Sequence, residues 1–141
     1  MNGERKNFKN FASLTPRIRV EVYIPIRYEP SYHKSLTWVI EEFTQLRGGC
    51  TVNENVGGYY LSRANKVIDD RVDMVYCDFP LDWNKQADQK EVLTYCATLK
   101  DFLFKNLWEE EILICVYPVS HIWEEFEPRL NTNILSLVHN S

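Results

Sequence analysis

Arg17-Ile18-Arg19-Val20-Glu21-Val22-Tyr23-Ile24-Pro25-Ile26-Arg27 alternates without a break. Ile18, Val20, Val22, Ile24 and Ile26 fall on one side, and Arg19, Glu21, Tyr23 and Pro25 on the other. Successive side chains of an extended chain point to opposite faces, so this stretch reads as a strand with one face on a core and the other open. Pro25 has no amide to donate, so its nitrogen points off the sheet or the strand thins there.

Downstream, Ser31 is placed to cap a helix over Ser31–Arg47, with Leu36, Val39, Ile40 and Phe43 at helical spacing and Gly48-Gly49 as the stop. Cys50–Arg63 and Lys66–Phe79 are equal arms rich in Val, Ile and Tyr about Ala64-Asn65, which predicts a long antiparallel hairpin. Gly57-Gly58 and Asp69-Asp70 interrupt those arms and suggest a bulge or kink. Val92, Cys96, Leu99 and Leu103 mark a second helix over Asp88–Leu107, and the apolar run Ile112–Tyr117 marks a last strand within Glu111–Val119.

The order β, α, hairpin, α, β is the split-βαβ pattern, an α+β ferredoxin-like sandwich with a four-stranded antiparallel sheet and two helices on one face. Strands one and three then lie in the centre. Residues 1–16 read as a flexible N-terminal arm, 17–119 as the domain, and 120–141 as a C-terminal extension. In that extension Ile122, Trp123, Phe126, Ile134, Leu135, Leu137 and Val138 predict a segment that folds back or meets a partner.

The totals narrow the function classes. A chain of 141 residues suits one core, and 45% hydrophobic with 26% charged residues is too apolar for disorder. A net charge of −4 supplies no general field for phosphates, so nucleic-acid and anionic-membrane binding are not expected. The third strand also lacks the Gly-aromatic pattern of base-stacking sheets and carries Asp73. No apolar run reaches the length of a membrane span and no signal peptide is read, so the expected location is the cytoplasm. Cys50, Cys77, Cys96 and Cys115 stand apart without a CxxC pair, which predicts reduced, mostly buried thiols and no metal site; no cofactor is expected either.

The candidate chemistry gathers at the first strand-to-helix corner and on the open sheet face. Arg27, Tyr28, Glu29, Tyr32, His33 and Lys34 bring cations, phenols and an imidazole to a helix N-terminus, where an anion is favoured. A solvated first turn explains the same residues. Tyr59, Tyr60 and Arg63 suit an interface or a pocket, or ordinary packing. Asp78 and Asp82 beside Trp83 invite an acid-base reading, although capping is the commoner use of such an Asp. Glu109-Glu110-Glu111 sits at the unfavourable end of the second helix and is expected to be solvated or paired with cations.

Arg-Gly-Gly-Cys-Thr-Val at residues 47–52, followed by the hairpin and by Leu-Trp-Glu-Glu-Glu-Ile-Leu-Ile at 107–114, resembles a group of small bacterial proteins of uncharacterised function, cyanobacterial ones among them. Over roughly Arg17–Val119 the resemblance implies a ferredoxin-like fold and carries over no catalytic residue. Two functions compete. Tyr23, Trp38, Trp83, Trp108 and Trp123 offer more large surface than the core needs, pointing to a non-enzymatic module that forms a homodimer or binds a protein partner. The alternative is a sensor or enzyme for a small anionic ligand, held by Arg19, Tyr23, Arg27, His33 and Arg63.

Overall fold

The two prolines of the central strand sit where its ladder needs no amide from them. The computed structural model describes residues 14–122. In it β1 (Leu14–Pro25), α1 (Pro30–Arg47), β2 (Thr51–Leu61), β3 (Val67–Phe79), α2 (Gln86–Asn106) and β4 (Ile114–Ile122) follow in order. The strands form one sheet in the order β2-β3-β1-β4, and every neighbouring pair is antiparallel. This is the βαββαβ ferredoxin-like sandwich expected from the alternation of β1.

Tyr23 N donates to Leu113 O at 3.0 Å on the β4 side, and Ile26 N donates to Arg71 O at 2.9 Å on the β3 side. Amides alternate sides along a strand, so the nitrogen of Pro25 faces the β4 side, beyond the end of β4. The nitrogen of Pro16 faces the β3 side, where pairing begins only at Ile18 opposite Phe79. Neither proline therefore removes a ladder bond.

β1 starts at Leu14, three residues before the expected boundary, and β4 runs to Ile122 because Leu14, Thr15 and Pro16 pair with Ile122, His121 and Ser120. Residues 14–16 and 120–122 thus belong to the sheet. The rest of the expected arm and extension, including Trp123, Phe126, Ile134, Leu135, Leu137 and Val138, lies outside the described residues.

Ile18, Val20, Val22 and Ile24 are buried against both helices. Phe79 on β3 locks the layers: its ring meets Phe43 of α1 edge-on at 6.3 Å and Tyr95 of α2 at 5.5 Å. Deep between the helices, the Tyr95 hydroxyl donates to Glu42 at 3.3 Å, so a buried carboxylate has a polar partner. Trp38 stacks on Phe102 at 4.0 Å, and Trp83 also packs against the core. These two tryptophans are therefore partly covered by the core, which leaves less surface than composition suggested; Trp108 is 95% exposed.

Local signals were partly displaced. α1 begins at Pro30, one position before the expected start, and its cap residue is Glu29, two positions before the expected Ser31; proline suits that turn because its missing amide would have no helical partner. Gly48 closes α1 at φ 81°, its amide bonded to Thr44 O at 2.7 Å. The irregularity in β2 falls at Asn53–Val56, ahead of the expected Gly57-Gly58. There Asn55 adopts φ 56°, its amide is received by Asp73 at 2.9 Å, and its side-chain oxygen accepts from Arg71 Nε at 2.9 Å. Asparagine tolerates the left-handed region because its short side chain bonds locally. Among the described residues, no helix is long and apolar enough to cross a membrane.

Candidate functional site

The unequal lengths of the strands create the most distinctive surface. β1 stops pairing with β3 at Pro25 opposite Val72, while β3 and β2 continue together to Val67 and Leu61. The hairpin therefore overhangs the sheet, with β3 residues 67–70 paired to β2 on one side only. Ser62 and Lys66 close its turn by a 2.8 Å backbone bond, with Asn65 at φ 62°. On the overhang Tyr59, Tyr60, Leu61 and Val67 are 75%, 49%, 63% and 72% exposed.

Across the gap left by β1 runs the segment 109–113 that leads into β4. Between it and the overhang lies a groove of about 550 Å³, with Tyr23 and Pro25 at its closed end and with Tyr59 and Tyr60 of β2 and Leu113 among the residues that line it. Four carboxylates, Asp70, Glu109, Glu110 and Glu111, also line it. Arg27 bridges two of them, reaching Asp70 at 2.8 Å and Glu109 at 3.2 Å, and the Tyr32 hydroxyl donates to Glu109 and to Trp108 O, both at 3.1 Å. Arg63 approaches Glu110 at 3.6 Å and Lys100 holds Glu111 at 2.8 Å. Bonding to Asp70 raises the Arg27 pKa, so that cation is fixed. The hydrogen bond from Lys100 lowers the Glu111 carboxyl.

A second polar arrangement crosses the open sheet face. Register sets Arg19 between Asp78 on β3 and Tyr117 on β4. Arg19 grips Asp78 through two bonds of 2.7 and 3.0 Å and lies 4.4 Å over the Tyr76 ring. His121 Nε2 meets Asp78 Oδ2, the oxygen that Arg19 Nη2 also bonds, at 2.6 Å. Burial favours the neutral Asp78 acid, but the bonds from Arg19 and His121 outweigh it and hold the carboxyl below its ordinary value. Next along β1, Glu21 accepts from Tyr23 at 2.9 Å and from Tyr117. Burial and that bond push the Tyr23 phenol up to about 12, and the bond to Glu21 raises Tyr117. Both phenols stay protonated as donors at neutral pH.

The five residues proposed from sequence are thus distributed. Tyr23, Arg27 and Arg63 gather about segment 109–113, while Arg19 belongs to the row with Asp78. His33 is an exposed residue of the first turn of α1. All three arginines face carboxylates of the chain itself. Asp78 and Asp82 part company as well: Asp82 receives the amide of Asn84 at 3.0 Å, and its own amide goes to Asp88 at 2.9 Å, which is turn chemistry. Sequence reasoning missed Asp70, Tyr117 and His121. Partners 43 to 96 positions apart leave no local spacing to find, and only the register unites them.

A comparison with protein-family models and one with curated proteins each match nothing. Among solved structures the chain is similar to a divalent cation tolerance protein, CutA1, from Thermus thermophilus, at 12% identity and a TM-score of 0.46 over 74% of this chain and 84% of that one. It is also similar to CutA1 from Oryza sativa, at 15% identity and a TM-score of 0.45 over 90% of this chain and 94% of that one. No function follows from likeness at these values.

Proposed function

We propose that the chain is a non-enzymatic interaction module that associates with a copy of itself, using the β2–β3 overhang and the groove beside it. The overhang carries this reading. A two-stranded ribbon gains little stability alone in water, yet this one exposes Tyr59, Tyr60, Leu61 and Val67 and leaves β3 residues 67–70 with an open side. Tyr59, Leu61 and Val67 share one face of the ribbon and Tyr60 takes the other, and apolar surface beside an open strand edge is the usual form of a contact site.

A second copy is the simplest occupant because one patch then serves both subunits about a two-fold axis. Four cysteines without a disulfide among the described residues suit the reducing cytoplasm. An anionic ligand held by Arg19, Tyr23, Arg27, His33 and Arg63 has less support, since it must displace Asp78, Asp70 or Glu110 from the arginines.

The test replaces Tyr59 and Val67 by Lys, both outside the core. The expected result is a lower mass in solution with unchanged circular dichroism. An oligomer that ignores both substitutions would move the contact away from the overhang.

A further inference from the structure

Val52 of β2 pairs with Val75 of β3, and both turn to the core side of the sheet. Two residues back from Val52 and two on from Val75, the same register sets Cys50 opposite Cys77, again on the core side. Arg71 O accepts from Ile26 N, so the odd-numbered residues of β3 from Arg71 to Phe79 turn their backbone groups toward β1 and away from β2. Cys50 and Cys77 are therefore a non-hydrogen-bonded pair, in which the Cα atoms of antiparallel neighbours lie about 4.5 Å apart. A disulfide takes Cα atoms about 4.4–6.8 Å apart, so no backbone movement is needed to join them.

The two thiols differ in access. Cys50 is half-buried, with its sulfur 3.7 Å from the hydroxyl of the exposed Thr44 and 3.9 Å from Ile40 O. Cys77 is 4% exposed. Burial raises the Cys77 pKa, the Arg47 guanidinium pulls against this, and the sulfurs of Cys50 and Cys96 raise it again, which puts all three groups within electrostatic reach. Arg47 is anchored beside the pair, its Nε donating to Asp78 O at 2.7 Å. Cys96 comes from α2, across the layer, where no register holds it opposite either thiol. Cys115 lies on the open face, opposite Glu21.

We infer that Cys50 and Cys77 are a reversible oxidation site that a hydroperoxide converts to a disulfide, Cys50 meeting the oxidant and Cys77 resolving it. As the thiolate, Cys50 Sγ attacks one peroxide oxygen; the O–O bond breaks, an alcohol leaves (water, for hydrogen peroxide), and a sulfenic acid remains. Cys77 Sγ then gives up its proton and attacks Cys50 Sγ; the S–O bond breaks and water leaves with that proton. Two thiols and one peroxide become a disulfide, an alcohol and water, and the two electrons lost by the sulfurs go to the peroxide oxygens. Cross-strand neighbours need no search, which offsets the cost of forming the Cys77 thiolate beside Arg47. The bond ties edge strand β2 to β3 at its entry, and a thiol reductant opens it again.

The test uses the full-length chain, reduced, freed of reductant and exposed to equimolar hydrogen peroxide. It is then unfolded in N-ethylmaleimide and read by intact mass and peptide mapping. Two of the four thiols are expected to escape the maleimide, joined in one peptide pair that holds Cys50 and Cys77, and dithiothreitol should restore all four. Cys50→Ser should lose the bond, and Cys77→Ser should leave Cys50 as a sulfenic acid that dimedone traps. Cys96→Ser and Cys115→Ser should keep the bond. Four unmodified thiols, Cys50 oxidised with Cys77 still free, or a bond from Cys50 to Cys96 or to a second chain would each overturn the pairing. The wild-type map decides it even where a serine variant fails to fold.

Discussion

Replacing Asp78 by Asn removes one charge from the middle of the open face. The wild-type carboxylate takes two bonds from Arg19 and one from His121, with 13% of its side chain exposed. The amide keeps the shape but sets a donor against the guanidinium, itself 27% exposed. Exposed pairs contribute under about 1 kcal/mol, whereas breaking a buried pair costs about 3–5 kcal/mol; a sheltered pair falls between, at about 2 kcal/mol. For 141 residues the unfolding entropy near Tm is about 0.3 kcal/mol/K, so Tm should fall by about 7 °C. The pH dependence has a fixed sign. The folded carboxyl lies below its ordinary 3.8, so its stabilisation is present above that value and is lost as pH falls through the folded pKa. The gap between wild type and variant in thermal circular dichroism should therefore be full at neutral pH and narrow in acid below 3.8. A Tm unchanged at neutral pH, or a gap that ignores acid, would refute the account of the row.

Three further outcomes follow from the core and the caps. Leu99→Ala, at a fully buried position of α2, should cost about 2–5 kcal/mol in urea unfolding. Gly48→Ala should cost about 1 kcal/mol through backbone strain at φ 81°, because an added Cβ meets nothing within 4 Å, and Gly48→Asn should cost less. In thiol titration Cys77 and Cys96 should stay unreactive until unfolding, since burial raises Cys77 and pushes Cys96 up to about 12, while the half-buried Cys50 and Cys115 react first.

The fold was legible because β1 states its two faces residue by residue, and because the matched arms around Ala64-Asn65 announce the hairpin. Ser31 and the Gly57-Gly58 bulge were misplaced by a few positions, since Pro30 and Asn55 met the backbone demand first. Trp38 and Trp83 looked like surplus surface because composition does not say what they pack against. The groove was illegible for a different reason. Its acidic wall joins Asp70 to Glu109–Glu111 across the gap where β1 ends, and that gap is a difference in strand length, visible only once the register is known. Arg19, Arg27 and Arg63 were recognised as a set of cations, but the carboxylates that pair with them come from other elements.

Self-association is the central claim, and sedimentation velocity of the unmodified chain across a wide concentration range tests it most directly. The account predicts a species of twice 16.7 kDa that dissociates on dilution and with added salt. A single 16.7 kDa species at every concentration would contradict it.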